Sequence, residues 1–370
     1  MKRLQAYKTK LVLNNMERTW CLRCSGAARW CFNWGLDAMQ KAYAEGRKTS
    51  VLAEKRRLNA VKDNEAAWLR DLPYTVLQAA FNNLKSAYKN FFSRVKQGGG
   101  KPGFPKFKSR RNASQSFNVR GGISVTETHI KLPRIGWLRL MEHGYLPTAK
   151  DIRILSATVS SDDHGATWYV SIQTEQEVPE PALATGNPIG VDLGIKSLAV
   201  LSDGTVYDNV RPLQGAERKI KRLSRELARR HKGGSNWLKT KAKLNRAHAK
   251  ARNVREHYLH QISAETVAKH PRAIVMENLN VEGMKANHCM ARAIADLSMF
   301  ELRRQIGYKS AWNGSQFILA DRWYPSSKTC SRCGAIRDEV SLAERTFVCP
   351  DCGFVIDRDL NAARNLAALA

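Results

Sequence analysis

The stretch PIGVDLGIKSLAVLSDGTVYD, residues 188–208, decides the fold. Its apolar runs GVDLGI and SLAVL read as two strands, and the Ser202, Asp203 and Gly204 that follow read as a turn. Asp192 sits inside the first of these strands, where an unpaired carboxylate is costly and calls for a compensating cation. Gly194 just after it allows a backbone or ligand to come close. Working outward, a second apolar strand, Ala273 to Met276, ends on Glu277. Parallel pairing of the two would carry both carboxylates to one sheet edge, the place where α/β sheets gather ligands. A third acid, Asp359, opens the last helix in DRDLNAARNL, with Asp357 competing for the same role. Any one strand-end acid is most often an ion-pair partner or a turn residue. What makes a set of these three is the order of elements around them. A strand hairpin is followed by two long basic helices from about Gly215 to Lys269, the strand RAIVMEN, a helix from about Asp296 to Trp312, the strand QFILAD, a cysteine module and a helix. Hard oxygen ligands suit Mg²⁺ or Mn²⁺, and two such ions about 3.5 to 4 Å apart can activate water for phosphodiester cleavage.

The cysteine module is Cys330-x-x-Cys333 and Cys349-x-x-Cys352, two knuckles separated by fifteen residues and each followed by glycine, Gly334 and Gly353. That spacing matches a four-thiolate zinc ribbon. Cys21, Cys24 and Cys31 lie among Trp20, Trp30 and Trp34 with no second knuckle nearby, so they read as buried apolar cysteines. Cys289 carries no assignment.

Sixty-one Lys and Arg against thirty-three Asp and Glu give a formal charge of +28, which points to a polyanionic partner. No apolar stretch approaches the ~20 residues that span a bilayer, and MKRLQAYKTK lacks a signal-peptide core, so nucleic acid in the cytosol is expected and a membrane is not. The basic helices alone carry sixteen Lys and Arg between Arg211 and Glu256 against Glu217, Glu226 and Glu256, a face suited to a phosphate backbone.

The first dozen residues alternate as a strand, and residues from about Met16 to Lys96 carry helical spacing. Within that block Leu77, Phe81, Leu84, Tyr88 and Phe91 or Phe92 recur at three- or four-residue steps, predicting one buried helix face. Tyr74, Gln78 and Asn82 fall on the same helix as candidate DNA-reading residues, although a plain solvated face fits them as well. The loop that follows, GGGKPGFPKFKSRRN, holds Lys101, Lys106, Lys108, Arg110 and Arg111 with no acid and reads as a phosphate-touching segment. Short alternating runs from Ser116 to about Glu177 predict a small β-domain, expected to be a barrel, interrupted by the helical block after its first strand. The proline-rich VPEPALATGNP, residues 178–188, reads as a linker.

VDLGIKSLAV, VMENLNVEGM, YPSSKTCSRCG, CPDCG and DRDLNAARNL, with LQAAFNNLKSAYKNFF and KPGFPKFKSRR upstream, together resemble the TnpB proteins of insertion sequences along nearly the whole chain. The resemblance implies a multi-domain α+β protein. Its RNase H-like (RuvC) nuclease domain would cover residues 187–324 and 354–370, with an inserted zinc ribbon at 325–353. A β-barrel wedge domain would cover 1–12 and 113–180, and a helical recognition insertion 13–112. It further implies an RNA-guided double-stranded DNA endonuclease, cutting beside a short transposon-associated motif and directed by a guide RNA from the transposon end, one protein per RNA, in a bacterial or archaeal cytoplasm at the nucleoid. Asp192, Glu277 and Asp359 would be the catalytic, Mg²⁺-holding acids, and Cys330, Cys333, Cys349 and Cys352 would hold Zn²⁺. An unguided RuvC-like resolvase or transposase, and a cleavage-deficient RNA-guided DNA-binding protein, are the alternatives.

Overall fold

The computed structural model describes residues 1–98, 103–109, 114–163, 165–338 and 344–370. Lys101, Arg110 and Arg111 lie outside the described residues. The chain is α+β and divides into two compact units, residues 1–178 and 179–370. Among the described residues no helix is long and apolar enough to cross a membrane.

In the first unit, strand β1 (Lys2–Val12) leads into helix α1 (Asn15–Ala44) through a capping box. The Asn14 side chain accepts from the Glu17 N–H at 2.9 Å, and the Glu17 carboxylate accepts from the Asn14 N–H at 2.8 Å, satisfying two donors that the helix start leaves open. Helix α1 buries Cys21, Cys24 and Cys31 with Phe32 and Leu36. Burial pushes the Cys21 and Cys31 thiols up to about 12, so these cysteines stay protonated packing groups. Helices α2 (Val51–Glu65) and α3 (Tyr74–Gln97) follow, with a 3-10 turn at Ala67–Asp71 between them. Helix α3 buries Val76, Leu77, Ala80, Phe81, Leu84 and Tyr88 along one stripe. Gly35 lets α1 approach closely, since a Cβ there would stand 2.8 Å from Phe81 and 2.9 Å from Leu84. The predicted stripe ends earlier than its spacing suggests. Phe92 is exposed, and Phe91 and Phe92 instead form an aromatic group with Tyr88 and Phe104.

Strands β2 (Gln115–Val119), β3 (Ser124–Val125), β4 (His129–Leu132), β5 (Gly136–Leu140), β6 (Ile152–Ser161) and β7 (Trp168–Glu177) join β1 in an antiparallel seven-stranded sheet of order β2-β6-β7-β1-β5-β4-β3. Because β1 pairs with both β7 and β5, the three helices are an excursion from the sheet.

In the second unit, β8 (Ile189–Leu193), β9 (Ser197–Leu201) and β10 (Val206–Asp208) form the antiparallel half of a five-stranded sheet. Two basic helices, α4 (Pro212–Arg229) and α5 (Ser235–Ala268), lead to β11 (Ala273–Met276), which pairs parallel with β8. The short α6 (Val281–Ala286) and α7 (Ala291–Leu297) precede α8 (Met299–Trp312), and β12 (Gln316–Leu319) pairs parallel with β11. The sheet order is β10-β9-β8-β11-β12. Strands β11 and β8 read as near-continuous apolar runs because both faces are covered. A two-stranded ribbon, β13 (Thr346–Val348) and β14 (Val355–Asp357), runs without a linker into α9 (Arg358–Ala367).

Helix α9 lies directly on β8. A Cβ on Gly190 would overlap the Ala363 carbonyl oxygen and the Ala367 nitrogen, both backbone atoms that cannot swing aside. Gly190→Ala is therefore expected to destabilise the second unit by about 1 to 3 kcal/mol or more, as overpacking does. It should be read as a lower thermal midpoint for the full chain, and an unchanged midpoint would contradict this packing.

Candidate active site and metal centre

The register of the parallel pair sets the first two acids. Met276 stands opposite Val191, so Glu277 and Asp192 follow side by side at the carboxyl end of β11 and within β8. The third acid arrives from the other direction. Strand β14 ends at Asp357, whose carboxylate accepts from the Asp359 and Leu360 N–H groups, each at 3.0 Å, and so caps α9. Asp357 thus has a capping role, while Asp359 lies in the first helical turn, and the charges of both act on Asp192.

These carboxylates feel one another. Burial first, and then the charges of Glu277, Asp359 and Asp357, hold the Asp192 carboxyl well above the usual aspartate range, against a lowering pull from Arg358. Glu277 is also raised by burial, even though the Ser326 hydroxyl donates to its Oε1 at 2.6 Å. Asp359 has cations at longer range, Arg358 at 3.5 Å and Arg345 at 4.0 Å. A buried Asp192 whose ionisation is opposed by the neighbouring acids is a place where a hard divalent cation would repay the cost of the charge. Because a divalent cation held there would compete with protons for Asp192 and Glu277, Mg²⁺ or Mn²⁺ affinity is expected to fall as pH is lowered. Titrations with Mn²⁺ at several pH values check this, and an affinity flat across them would contradict it.

The four thiols are drawn together more tightly. Cys330, Cys333, Cys349 and Cys352 place their sulfurs within 4.8 Å of one another, and among the described residues no other group of His, Cys, Asp or Glu gathers so closely. Cys330 to Cys352 is 3.8 Å and Cys333 to Cys349 is 3.6 Å. A tetrahedral zinc with Zn–S near 2.3 Å has S–S edges of about 3.8 Å, so the residues present fit that ion. Gly334 and Gly353 take the left-handed conformation that closes each knuckle. The backbone N–H of Cys352 lowers the Cys349 thiol, while its hydrogen-bonded partner Cys333 is raised, so the thiols share protons among themselves.

Sequence reasoning passed over the residues that support these groups. Ser326 is buried and holds Glu277. Asn361 and Asn365 read as ordinary polar helix positions, yet both are buried and bind the chain just before and within the first knuckle. Their spacing of four residues on one helix face was the available signal. Asp296 is also buried, accepting from the Leu213 N–H at the start of α4 and from Arg255 at 3.0 Å.

Of the candidate nucleic-acid contacts, Tyr74 and Asn82 are exposed and Gln78 half-buried on α3, with the Tyr74 hydroxyl accepting from Asn59 at 3.1 Å. Lys106 is exposed. Lys108 sets its ammonium 4.1 Å from the Phe32 ring centre, while Asn33 holds its backbone on both sides, at 2.8 and 2.9 Å. On α4 only Leu223 is buried, which leaves most of that helix's basic side chains accessible.

The fold is α+β with a four-cysteine cluster beside a mixed five-stranded sheet, and comparison with known proteins places it. Residues 171–288, which hold Asp192 and Glu277, match a family described as "Probable transposase" (OrfB of IS605). Residues 300–366, with the four cysteines and Asp359, match the Cas12f1-like TNB domain. Residues 1–48 match a family described as a helix-turn-helix domain, although the structure places one strand and one unbroken helix there. A protein of Escherichia coli K12 named "Putative RNA-guided DNA endonuclease InsQ" is 33% identical over the whole of this chain and 92% of its own. A Streptomyces pristinaespiralis protein of the same description is 33% identical over 98% of this chain and 89% of its own. The chain therefore belongs to the TnpB family, whose members carry the name of RNA-guided DNA endonucleases. A cryo-EM structure of a Cas12f1-sgRNA-target DNA complex shares the fold, with a TM-score of 0.55 over 96% of this chain and 83% of that one at 16% identity.

Proposed function

We propose that this chain is an RNA-guided DNA endonuclease of the RuvC type, hydrolysing double-stranded target DNA at Asp192, Glu277 and Asp359. The observation that carries the reading is the raised Asp192 carboxyl, pushed up by burial and by the two other acids at the end of the parallel strand pair. A buried carboxyl perturbed by neighbouring acids marks a functional site more often than an ordinary surface acid does. The three acids would hold Mg²⁺ or Mn²⁺, which would supply activation of water and charge neutralisation at the scissile phosphate. Asp192 and Glu277 bind from neighbouring strands, Asp359 closes the set from α9, and Asp357 keeps that helix start in place through its cap.

The reading assigns the RNase H-like nuclease domain to residues 187–324 and 354–370 and the zinc ribbon to 325–353. It assigns the wedge barrel to 1–12 and 113–180 and the helical recognition segment to 13–112. The accessible cations of α4 and α5 suit a phosphate backbone, and Lys101, Lys106, Lys108, Arg110 and Arg111 extend that role in the first unit. Tyr74, Gln78 and Asn82 are the candidate readers of a short duplex motif, while base pairing to a guide RNA from the transposon end reads the longer sequence. One protein would act per RNA, in a bacterial or archaeal cytoplasm at the nucleoid.

Swapping the guide tests the reading. RNA purifying with the protein is sequenced, its guide replaced, and cleavage of matching DNA followed with Mg²⁺. Cleavage should move to the new match. Cutting that ignores the guide would instead mean a resolvase or transposase, and guided binding without cutting would mean a DNA-binding protein.

A further inference from the structure

One short run of chain, residues 324–331, touches both the thiolate ribbon and the carboxylate site. At its start, the buried Ser326 donates its hydroxyl to Glu277 Oε1 at 2.6 Å. At its end, Cys330 is a ribbon thiol, buried with Phe347 and Cys349. Between these points the run is fastened to α9. The Asn365 side-chain amide donates to the carbonyls of Ser326 at 2.7 Å and Thr329 at 2.6 Å, using both its protons. The Asn361 amide donates to the same Thr329 carbonyl at 2.7 Å, and its oxygen accepts from the Ser331 N–H at 2.9 Å. The Tyr324 hydroxyl donates to the Asn365 carbonyl at 3.3 Å.

The opposite face of α9 lies on β8 at Gly190, two residues before Asp192. Helix α9, which carries Asp359, is thus held between the strand bearing one acid and the run gripping another. Asn361 and Asn365 are essentially inaccessible, and a buried polar network of this kind is fixed only while all its members are in place. If these contacts served packing alone, apolar side chains would do as well. Instead each ends on the backbone of one segment or on a carboxylate of the site.

Resting on the reading of the acids as the nuclease centre, we propose that Ser326, Asn361 and Asn365 are positioning residues that couple the ribbon to that centre. A folded ribbon fixes residues 324–331, which orients the Glu277 side chain through Ser326 and seats α9, hence Asp359, through the two asparagines. The ribbon then sets whether the acids can hold divalent cations, a role distinct from any contact it makes with nucleic acid.

The test uses the protein–RNA complex and Mn²⁺ as probe. Parent, S326A, N365A, the hydroxyl-retaining S326T and D192N are compared for zinc content, target-DNA affinity, Mn²⁺ affinity by electron paramagnetic resonance, and cleavage rate. S326A should keep zinc and DNA affinity while Mn²⁺ binding and cleavage weaken about tenfold to a hundredfold, the usual cost of losing a partner of a metal ligand. S326T should restore most of both, and N365A should resemble S326A. If N365A fails to fold, S326A, which removes a single hydroxyl, decides. Mn²⁺ binding and cleavage equal to the parent in a zinc-loaded S326A would overturn the coupling. A D192N protein that binds Mn²⁺ and cleaves like the parent would instead remove the nuclease centre itself.

Discussion

Asp192→Asn should abolish DNA cleavage while making the metal-free protein more stable. The substitution keeps the shape of the side chain and removes a group whose ionisation is opposed by burial and the neighbouring acids. Losing a cation ligand at the reacting phosphate removes several kcal/mol of transition-state stabilisation, and at 1.36 kcal/mol per decade that is a fall on the order of a thousandfold or more. The stability effect has the opposite sign. The Asp192 carboxyl is raised in the folded chain above the ordinary aspartate value near 3.9 that the unfolded chain shows. The folded state therefore holds the proton more tightly, and stability falls as pH rises from that ordinary range through the folded value. In chelator at neutral pH the variant should melt at a higher temperature than the parent, and the difference should vanish as pH drops toward the ordinary aspartate range. Adding Mg²⁺ should raise the parent's midpoint more than the variant's. Equal cleavage by the two proteins, or a variant that melts lower in chelator, would contradict the site.

Removal of zinc should have the second largest effect. Among the described residues the ribbon's apolar core is small, Cys330, Phe347 and Cys349, and its sheet is the two-stranded pair β13 and β14. A lone hairpin of that size is marginal in water, whereas thiolate zinc sites contribute about 10 to 16 kcal/mol of apparent binding energy to folding. Chelation, or Cys330→Ser with Cys349→Ser, should unfold the ribbon and open residues 326–357 to proteolysis. Since β14 runs straight into the Asp357 cap, cleavage of DNA should be lost together with the ribbon. Cobalt in place of zinc should give the absorption of a tetrahedral four-thiolate site. A chelated protein as resistant to protease as the parent would contradict the ribbon's dependence on metal.

How much of this could be read in the sequence depended on how local each signal was. Asp192 stood out because a charge interrupts an apolar strand, and Glu277 because it ends one. The two knuckles were legible from spacing alone. Asp357 and Asp359 could not be told apart, because both lie in one helix start; the cap hydrogen bonds give Asp357 a structural role, and the charges of both act on Asp192. Ser326 was invisible for a deeper reason, and the spacing of Asn361 and Asn365 gave only a weak signal. A small polar residue in a loop or on a helix looks the same whether it meets water or a buried carbonyl, and only the tertiary fold decides. The helical stripe of α3 shows the reverse error, in which periodicity continues to Phe92 after the helix has run past its partners. Cys21, Cys24 and Cys31 sit in the apolar core as their aromatic neighbours suggest.

Diffraction from crystals of the protein soaked in Mn²⁺, measured at the manganese absorption edge, tests the central claim most directly. The account predicts anomalous peaks in contact with Asp192, Glu277 and Asp359 together, and none at that place in Asp192→Asn. Manganese bound elsewhere, with these three carboxylates uncoordinated, would contradict it.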